Sequence, residues 1–421
     1  TNAGVSCVGP EETFTITVNP TTNVTPFDDQ YIFTAGSTET VTIESITENT
    51  TFTWSTTVAA GIQGLVNTTG NTNIIPVETL TLAEGINTPL TVVYTIIPST
   101  SVDQACPGNP YTYTVTVNPI TGVTLIDNIV VCHNTPVGPI EFLSTVEGGT
   151  TTYEWEASGD NINLTQTDDG TGVINLFIAE NLTSEPLITT ITVIPTLTNG
   201  NVSSIGESLT FTITVNPTAQ VDQPDNYGYC AGDTAVIDFT TSNTGANSVT
   251  TYSWVVSGDD IGLDASIEGD ISQQTINETT ETLTAVIEVT PTYTNAGEQC
   301  TGPSKEFTIT VSPTAQVNAI APITYCKGEV VEEIVFSTLN TSSTTVYNWT
   351  NDNTSIGLGA SGTTDIPSFI AANDTNNPVI STITVTPSYV SADPLLTCDG
   401  PTETFTITVN PTAQVDQPDN Y

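Results

Sequence analysis

The residues of this chain best equipped for chemistry are its seven cysteines, and their spacing points to crosslinking rather than catalysis. A late set, Cys7, Cys106, Cys300 and Cys398, stands 13 residues before Pro20, Pro119, Pro313 and Pro411 (20−7, 119−106, 313−300, 411−398). An early set, Cys132, Cys230 and Cys326, stands 13 residues after Pro119, Pro217 and Pro313 (132−119, 230−217, 326−313). Two slots lack the thiol: Ser204 fills a late one and Phe33 an early one. Thiols at fixed offsets describe a disulfide framework and an oxidising compartment. The local motifs, Cys-x-Gly-Pro at Cys7 and Cys300 and Cys-Lys-Gly at Cys326, read as turns and not as redox CxxC pairs.

Other side chains offer weaker chemistry. Asp160, Asp259-Asp260 and Asp352 sit in Gly/Asn-rich clusters, with Asp28-Asp29 and Asp168-Asp169 as further pairs, and such oxygens can hold Ca²⁺. The same residues also serve solvated β-turns, and the first repeat carries Val58-Ala59-Ala60-Gly61 at that place, so the motif is not general. His133 beside Cys132 is the sole histidine; zinc needs three or four ligands and a nucleophilic triad needs partners. No Gly-rich phosphate loop follows a strand and opens a helix. Lys305 and Lys327 are too few to give each repeat an intramolecular isopeptide bond. Asn-x-Ser/Thr triplets such as Asn49-Thr50-Thr51 and Asn348-Trp349-Thr350 are expected by chance in a Thr- and Asn-rich chain. The expectation is no enzyme and no cofactor beyond Ca²⁺.

The elements that position these residues come as repeats. Val-Asn-Pro recurs at Val18-Asn19-Pro20, Val117-Asn118-Pro119, Val215-Asn216-Pro217 and Val409-Asn410-Pro411, with Val311-Ser312-Pro313 as a variant. The prolines are 99, 98, 96 and 98 residues apart (119−20, 217−119, 313−217, 411−313). Trp54, Trp155, Trp254 and Trp349 follow the first four by 34, 36, 37 and 36 residues (54−20, 155−119, 254−217, 349−313). A period near 100 suits autonomous domains and is too long for a solenoid. The divisions are the end of a domain (1–20), four domains (21–119, 120–217, 218–313, 314–411) and the start of another (412–421). Residues 411–421 repeat 217–227 letter for letter, which reads as an excerpt of a longer tandem chain.

Each repeat reads as an all-β sandwich. Phe307-Thr308-Ile309-Thr310-Val311 alternates apolar and Thr, the mark of a half-buried antiparallel strand. Tyr252-Ser253-Trp254 is echoed by Phe52-Thr53-Trp54, Tyr153-Glu154-Trp155 and Tyr347-Asn348-Trp349, placing one core Trp on the third of about seven strands. Junctions through Asn-Pro lack Gly/Ser linkers and are stiff, so the array should form an extended rod. With 2 Lys and Arg against 46 acids the formal charge is −44, which excludes nucleic acid and anionic membranes as partners.

Sandwich geometry bears on the cysteines. The early slot follows the first strand at one pole, and the late slot precedes the last strand at the other. A disulfide spans only about 4.4–6.8 Å between Cα atoms. Stacked repeats bring an early Cys to the late Cys of the following repeat, giving Cys132–Cys300 and Cys230–Cys398 and making Phe33 and Ser204 each other's partners. Pairing within repeats, Cys230–Cys300 and Cys326–Cys398, is the alternative and leaves Cys106 and Cys132 as orphans.

The pattern Pro-Thr-Ala-Gln-Val-Asp, Tyr-Cys-Ala-Gly-Asp or Tyr-Cys-Lys-Gly-Glu, aromatic-x-Trp and Phe-Thr-Ile-Thr-Val-Asn-Pro resembles the PKD-like and immunoglobulin-like repeats of Bacteroidota surface proteins. It is most similar to the giant gliding-motility adhesins of the SprB type. The resemblance implies type 9 secretion, outer-membrane attachment, and partners among the motility machinery and external surfaces or polysaccharides. Asp233-Thr234-Ala235 looks like an O-glycosylation motif of that phylum. The expected function is the stalk of a long extracellular adhesin. The alternatives are repeats that bind glycans or Ca²⁺ and a subunit of a non-covalent fibre.

Overall fold

The computed structural model describes residues 4, 8–100, 106–165, 170–264, 266–392 and 395–414. Cys7 and Asp168-Asp169 lie outside them. The chain divides into two compact units, Thr1–Glu180 with Leu187–Thr214, and Asn181–Pro186 with Val215–Tyr421. Regular structure among the described residues is strand, apart from one 3-10 turn at Thr354–Ile356.

In the first unit, the first repeat has a sheet ordered Gln30–Phe33, Tyr111–Asn118, Leu90–Thr100, Thr50–Val58, Thr69–Gly70. Its second layer is broken into short pieces: Gly36–Ser37 with Thr79–Leu82 and Ile62–Gln63, and Val41–Thr42 with Ile74–Ile75. Between the layers Trp54, Tyr94, Tyr113, Ile43 and Leu80 are buried. The second repeat runs Ile129–Cys132, Leu209–Asn216, Leu187–Asn199, Thr150–Gly159, Gly170–Thr171, and adds a hairpin strand, Val202–Ile205, on Leu187–Asn199.

In the second unit, the third repeat repeats this order as Tyr227–Cys230, Lys305–Ser312, Leu283–Asn295, Val249–Gly258, Ser266–Glu268, with the hairpin strand Glu298–Thr301. The fourth does so as Ile323–Cys326, Glu403–Asn410, Val379–Ala392, Thr344–Asn351, Ser361–Gly362, with the hairpin strand Leu395–Asp399. Thr/apolar alternation makes the closing strands two-faced: Phe307, Ile309 and Val311 are buried and Thr308 and Thr310 half-buried. Trp254 and Trp349 fill the two cores, and their indole N–H groups donate to Gly269 O (3.0 Å) and Thr364 O (2.9 Å). A buried indole N–H usually finds such an acceptor, although Trp54 Nε1 and Trp155 Nε1 are buried without one among the described residues.

Antiparallel pairing of the closing strand holds on one side only. Lys305–Ser312 is antiparallel to Leu283–Asn295 but parallel to Tyr227–Cys230, with Cys230 opposite Ser312. Parallel pairing puts the early slot at the end where the closing strand finishes: Cys326 faces Asn410, and Phe33 faces Asn118. The late slot lies on the hairpin at the other end, where Cys300 faces Tyr293 and Cys398 faces Tyr389. Cys300 is therefore in a strand, not the turn that its Cys-x-Gly-Pro motif suggests.

Glycine has a steric reason in that motif. Gly302 and Gly400 donate N–H to Pro291 O (3.0 Å) and Pro387 O (2.9 Å). A Cβ on either would stand 1.8 Å from the carbonyl oxygen of Ala219 or Ala315, two residues past the junction proline. The incoming linker lies flat on a glycine.

Candidate functional site: the junction between consecutive repeats

The junction between the third and fourth repeats lies wholly in the second unit. Cys230 and Cys398 are joined there, with Cα atoms 5.6 Å apart and 168 residues between them in sequence. The parallel leading strand delivers Cys230 to the end of its repeat, and the hairpin of the next repeat offers Cys398. Cys230 N–H donates to Asp233 Oδ2 (2.9 Å), and Ala231 N–H donates to Ser312 O (3.0 Å), fixing the turn that presents the sulfur.

A small core surrounds the bond. Ala315, Tyr389 and Cys398 are buried together, with Cys230 and Leu396 packed on them. Tyr389 Oη donates to Thr341 O (3.0 Å) and lies 2.9 Å from Thr282 Oγ1 of the preceding repeat. Thr341 crosses back, its N–H donating to Thr280 O (2.9 Å) and its hydroxyl to Glu281 Oε1 (3.2 Å). Covalent, apolar and polar links thus converge on one seam. At the junction inside the first unit, Asn199 Nδ2 donates to Asn118 Oδ1 (2.7 Å) and Glu147 N–H to Asn87 O (2.8 Å).

The other candidates separate from this site. Asp160 Oδ2 accepts from Ile188 N (2.8 Å), Asp259 Oδ2 from Thr284 N (2.8 Å) and Asp352 Oδ1 from Thr382 N (2.8 Å). Asp260 Oδ1 accepts from Gly262 N (3.0 Å). The Asp160, Asp259 and Asp352 carboxylates tie a turn to the neighbouring long strand, while Asp260 closes its own loop, and the bond from Thr382 N holds the Asp352 carboxyl below the ordinary carboxylate range. Among the described residues no group of three or more His, Cys, Asp and Glu side chains converges as a metal set. Cys326 is an exposed free thiol. The pairing Cys132–Cys300 links residues of different units and stays a proposal.

Sequence reasoning missed one recurrent residue. Asn181, Asn277 and Asn373 stand 96 residues apart (277−181, 373−277), each in an Asn-x-Thr triplet, and all are buried. Asn277 Nδ2 donates to Glu281 O and Val311 O (both 2.8 Å), while its Oδ1 accepts from Thr279 N (2.9 Å) and Thr279 Oγ1 (2.7 Å). Asn373 repeats the pattern with Asn377 O, Val409 O and Thr375. These triplets are knots between a loop and the closing strand, not chance sequons. The signal was their recurrence at one offset.

Comparison with known proteins adds a family for one repeat. No curated protein matches the chain. The human Desmocollin-1 ectodomain is 10% identical, covering 94% of this chain and 81% of its own, with a TM-score of 0.31. Cadherin domains 3–6 of Protocadherin Gamma B2 are 11% identical, covering 93% of this chain and all (100%) of their own, at 0.26. The N-terminal eight Ig domains of Down Syndrome Cell Adhesion Molecule are 10% identical, covering 93% and 49%, at 0.29. Overlaps this slight carry no argument, so the fold class rests on sheet order and core. Residues 34–121 match the family of PKD-like domains, and the other three repeats share that repeat's strand order.

Proposed function

We propose that this chain is a length of the stalk of a long secreted adhesin at the cell surface, stiffened so that a distal tip stands clear and force reaches it. The observation that carries this reading is the Cys230–Cys398 bond between consecutive repeats. A bond inside one repeat stabilises that repeat, whereas a bond across a seam restrains bending. The seam's tyrosine and threonine hydrogen bonds support the same role, as do Asn-Pro connections without flexible spacers. Disulfides and near-absence of Lys and Arg suit an extracellular, protease-rich setting. Export by type 9 secretion, outer-membrane attachment and gliding motility follow from the resemblance in the sequence and belong to this proposal.

Electron microscopy of single chains before and after reduction tests it. The expected result is an extended rod whose persistence length falls on reduction while the repeats stay folded. Equal persistence length in both states overturns the stalk reading.

A further inference from the structure

The seams carry a second set of matched residues besides the cysteines. One member is the residue before the junction proline: Asn118, Asn216, Ser312. The other stands four residues after the proline of the next long strand: Asn199, Asn295, Ser391 (199−195, 295−291, 391−387). In the first unit Asn199 Nδ2 donates to Asn118 Oδ1 (2.7 Å). In the second unit Asn295 Nδ2 donates to Asn216 Oδ1 (2.8 Å), and Asn216 Nδ2 donates to Asn295 O (3.3 Å). Where the first member is Ser312 the second is Ser391, and both are buried. The two positions change together.

We propose that these positions form a recognition pair, Asn with Asn or Ser with Ser, that selects which repeat can dock on which pole. The physical basis is volume and hydrogen bonding. An Asn against a Ser puts a carboxamide into a buried site sized for a hydroxyl, and part of its hydrogen-bonding capacity goes unmet. A buried polar group left unpaired costs about 1–3 kcal/mol, roughly five- to 150-fold in an equilibrium. Asn216 and Asn295 exchange two hydrogen bonds, whereas at the seam of Asn118 and Asn199 one bond forms and Asn118 Nδ2 stays buried without a partner among the described residues.

The pair also specifies a partner for the pole at Cys326. That pole is built like the one at Cys230: Lys327 N–H donates to Asn410 O (3.0 Å), as Ala231 N–H does to Ser312 O (3.0 Å). Cys326 N–H donates to Glu329 Oε2 (2.7 Å), as Cys230 N–H does to Asp233 Oδ2 (2.9 Å). With Asn410 at the selecting position, it fits a repeat whose hairpin carries Asn and Cys, like Asn295 and Cys300. It rejects one of the Ser391 type.

The test uses the whole chain and the junction disulfide as its reporter. The Cys230/Cys398 dithiol is equilibrated with glutathione: dithiol plus oxidised glutathione gives the disulfide plus two reduced glutathiones. Mass mapping of the linkage then yields the effective concentration of the two thiols. Ser312→Asn and Ser391→Asn should each lower that concentration about tenfold, and the double variant should return to within about threefold of the parent. A double variant as weak as the product of the singles, or singles without effect, overturns the pairing. Tryptophan fluorescence of Trp254 and Trp349 confirms that both cores stay folded, so a lowered value reports the seam. The equilibrium is read on free chains, independently of filament stiffness, so failure of the stalk reading leaves this result standing.

Discussion

Pulling the chain from its ends, with and without reductant, reads the Cys230–Cys398 bond directly. The bond closes a loop of 168 residues. An extended chain spans about 3.3–3.6 Å per residue, so the loop hides about 550–600 Å of contour length. With the bond intact, full unfolding of the 421 residues falls short of the extended length by that amount. Reduction should restore it. Single-molecule force spectroscopy resolves this difference easily.

The same assay decides the proposed Cys132–Cys300 pair. If both bonds exist, the taut path between Cys132 and Cys398 crosses one bond and 98 residues, either 132 to 230 or 300 to 398 (230−132, 398−300). The hidden length is again 168 residues, since 398−132 is 266 and 266−98 is 168. Cys230→Ser alone then releases nothing, because the other bond still bypasses the same length. Without Cys132–Cys300, that single change releases the whole 550–600 Å or so. No length difference on full reduction would refute the loop itself.

Trp254→Ala removes a buried indole and its bond to Gly269 O, and should cost the third repeat about 3–5 kcal/mol in denaturant unfolding. Asn277→Ala cuts the knot to Val311 O and Glu281 O, and should cost about 2–3 kcal/mol, read as a lowered Tm. Gly302→Ala drives a Cβ into Ala219 O and should cost about 1–3 kcal/mol on the same measurement. In the first repeat, burial and the Glu78 carboxylate push the Tyr94 hydroxyl up to about 12. A raised value favours the protonated, folded form below the ordinary phenol range, and that contribution fades as pH rises from about 10 through 12. Tyr94→Phe should therefore flatten the alkaline fall in stability, followed by circular dichroism between those pH values.

Much of the repeat was legible because its signals are periodic. Thr alternating with Phe, Ile and Val has period two, and one face of Lys305–Ser312 is indeed buried. Trp254 and its three counterparts are large enough that only a core accommodates them. The seam was legible through two offsets, because a thiol has few structural uses and Phe33 and Ser204 break the pattern together. What escaped lacks such a signal. Tyr227–Cys230 is four half-buried residues, so its parallel partner left no alternation to read. The second layer is split into pairs as short as Val330–Val331 with Phe369–Ile370, below the length at which periodicity speaks. Asn277 and Asn295 look like polar surface residues in sequence, and the groups that pair with them, Val311 O and the Asn216 carboxamide, belong to distant segments.

The 168-residue loop has one more consequence. A backbone cut anywhere between Cys230 and Cys398 severs an ordinary polypeptide into two pieces. Here both pieces remain attached through sulfur, and the force-carrying path from Cys230 to Cys398 never enters the cut segment. A protease must therefore strike outside the loop, or strike within it in concert with a reductant, to part the chain. The bond makes damage to either of two repeats a local injury rather than a break.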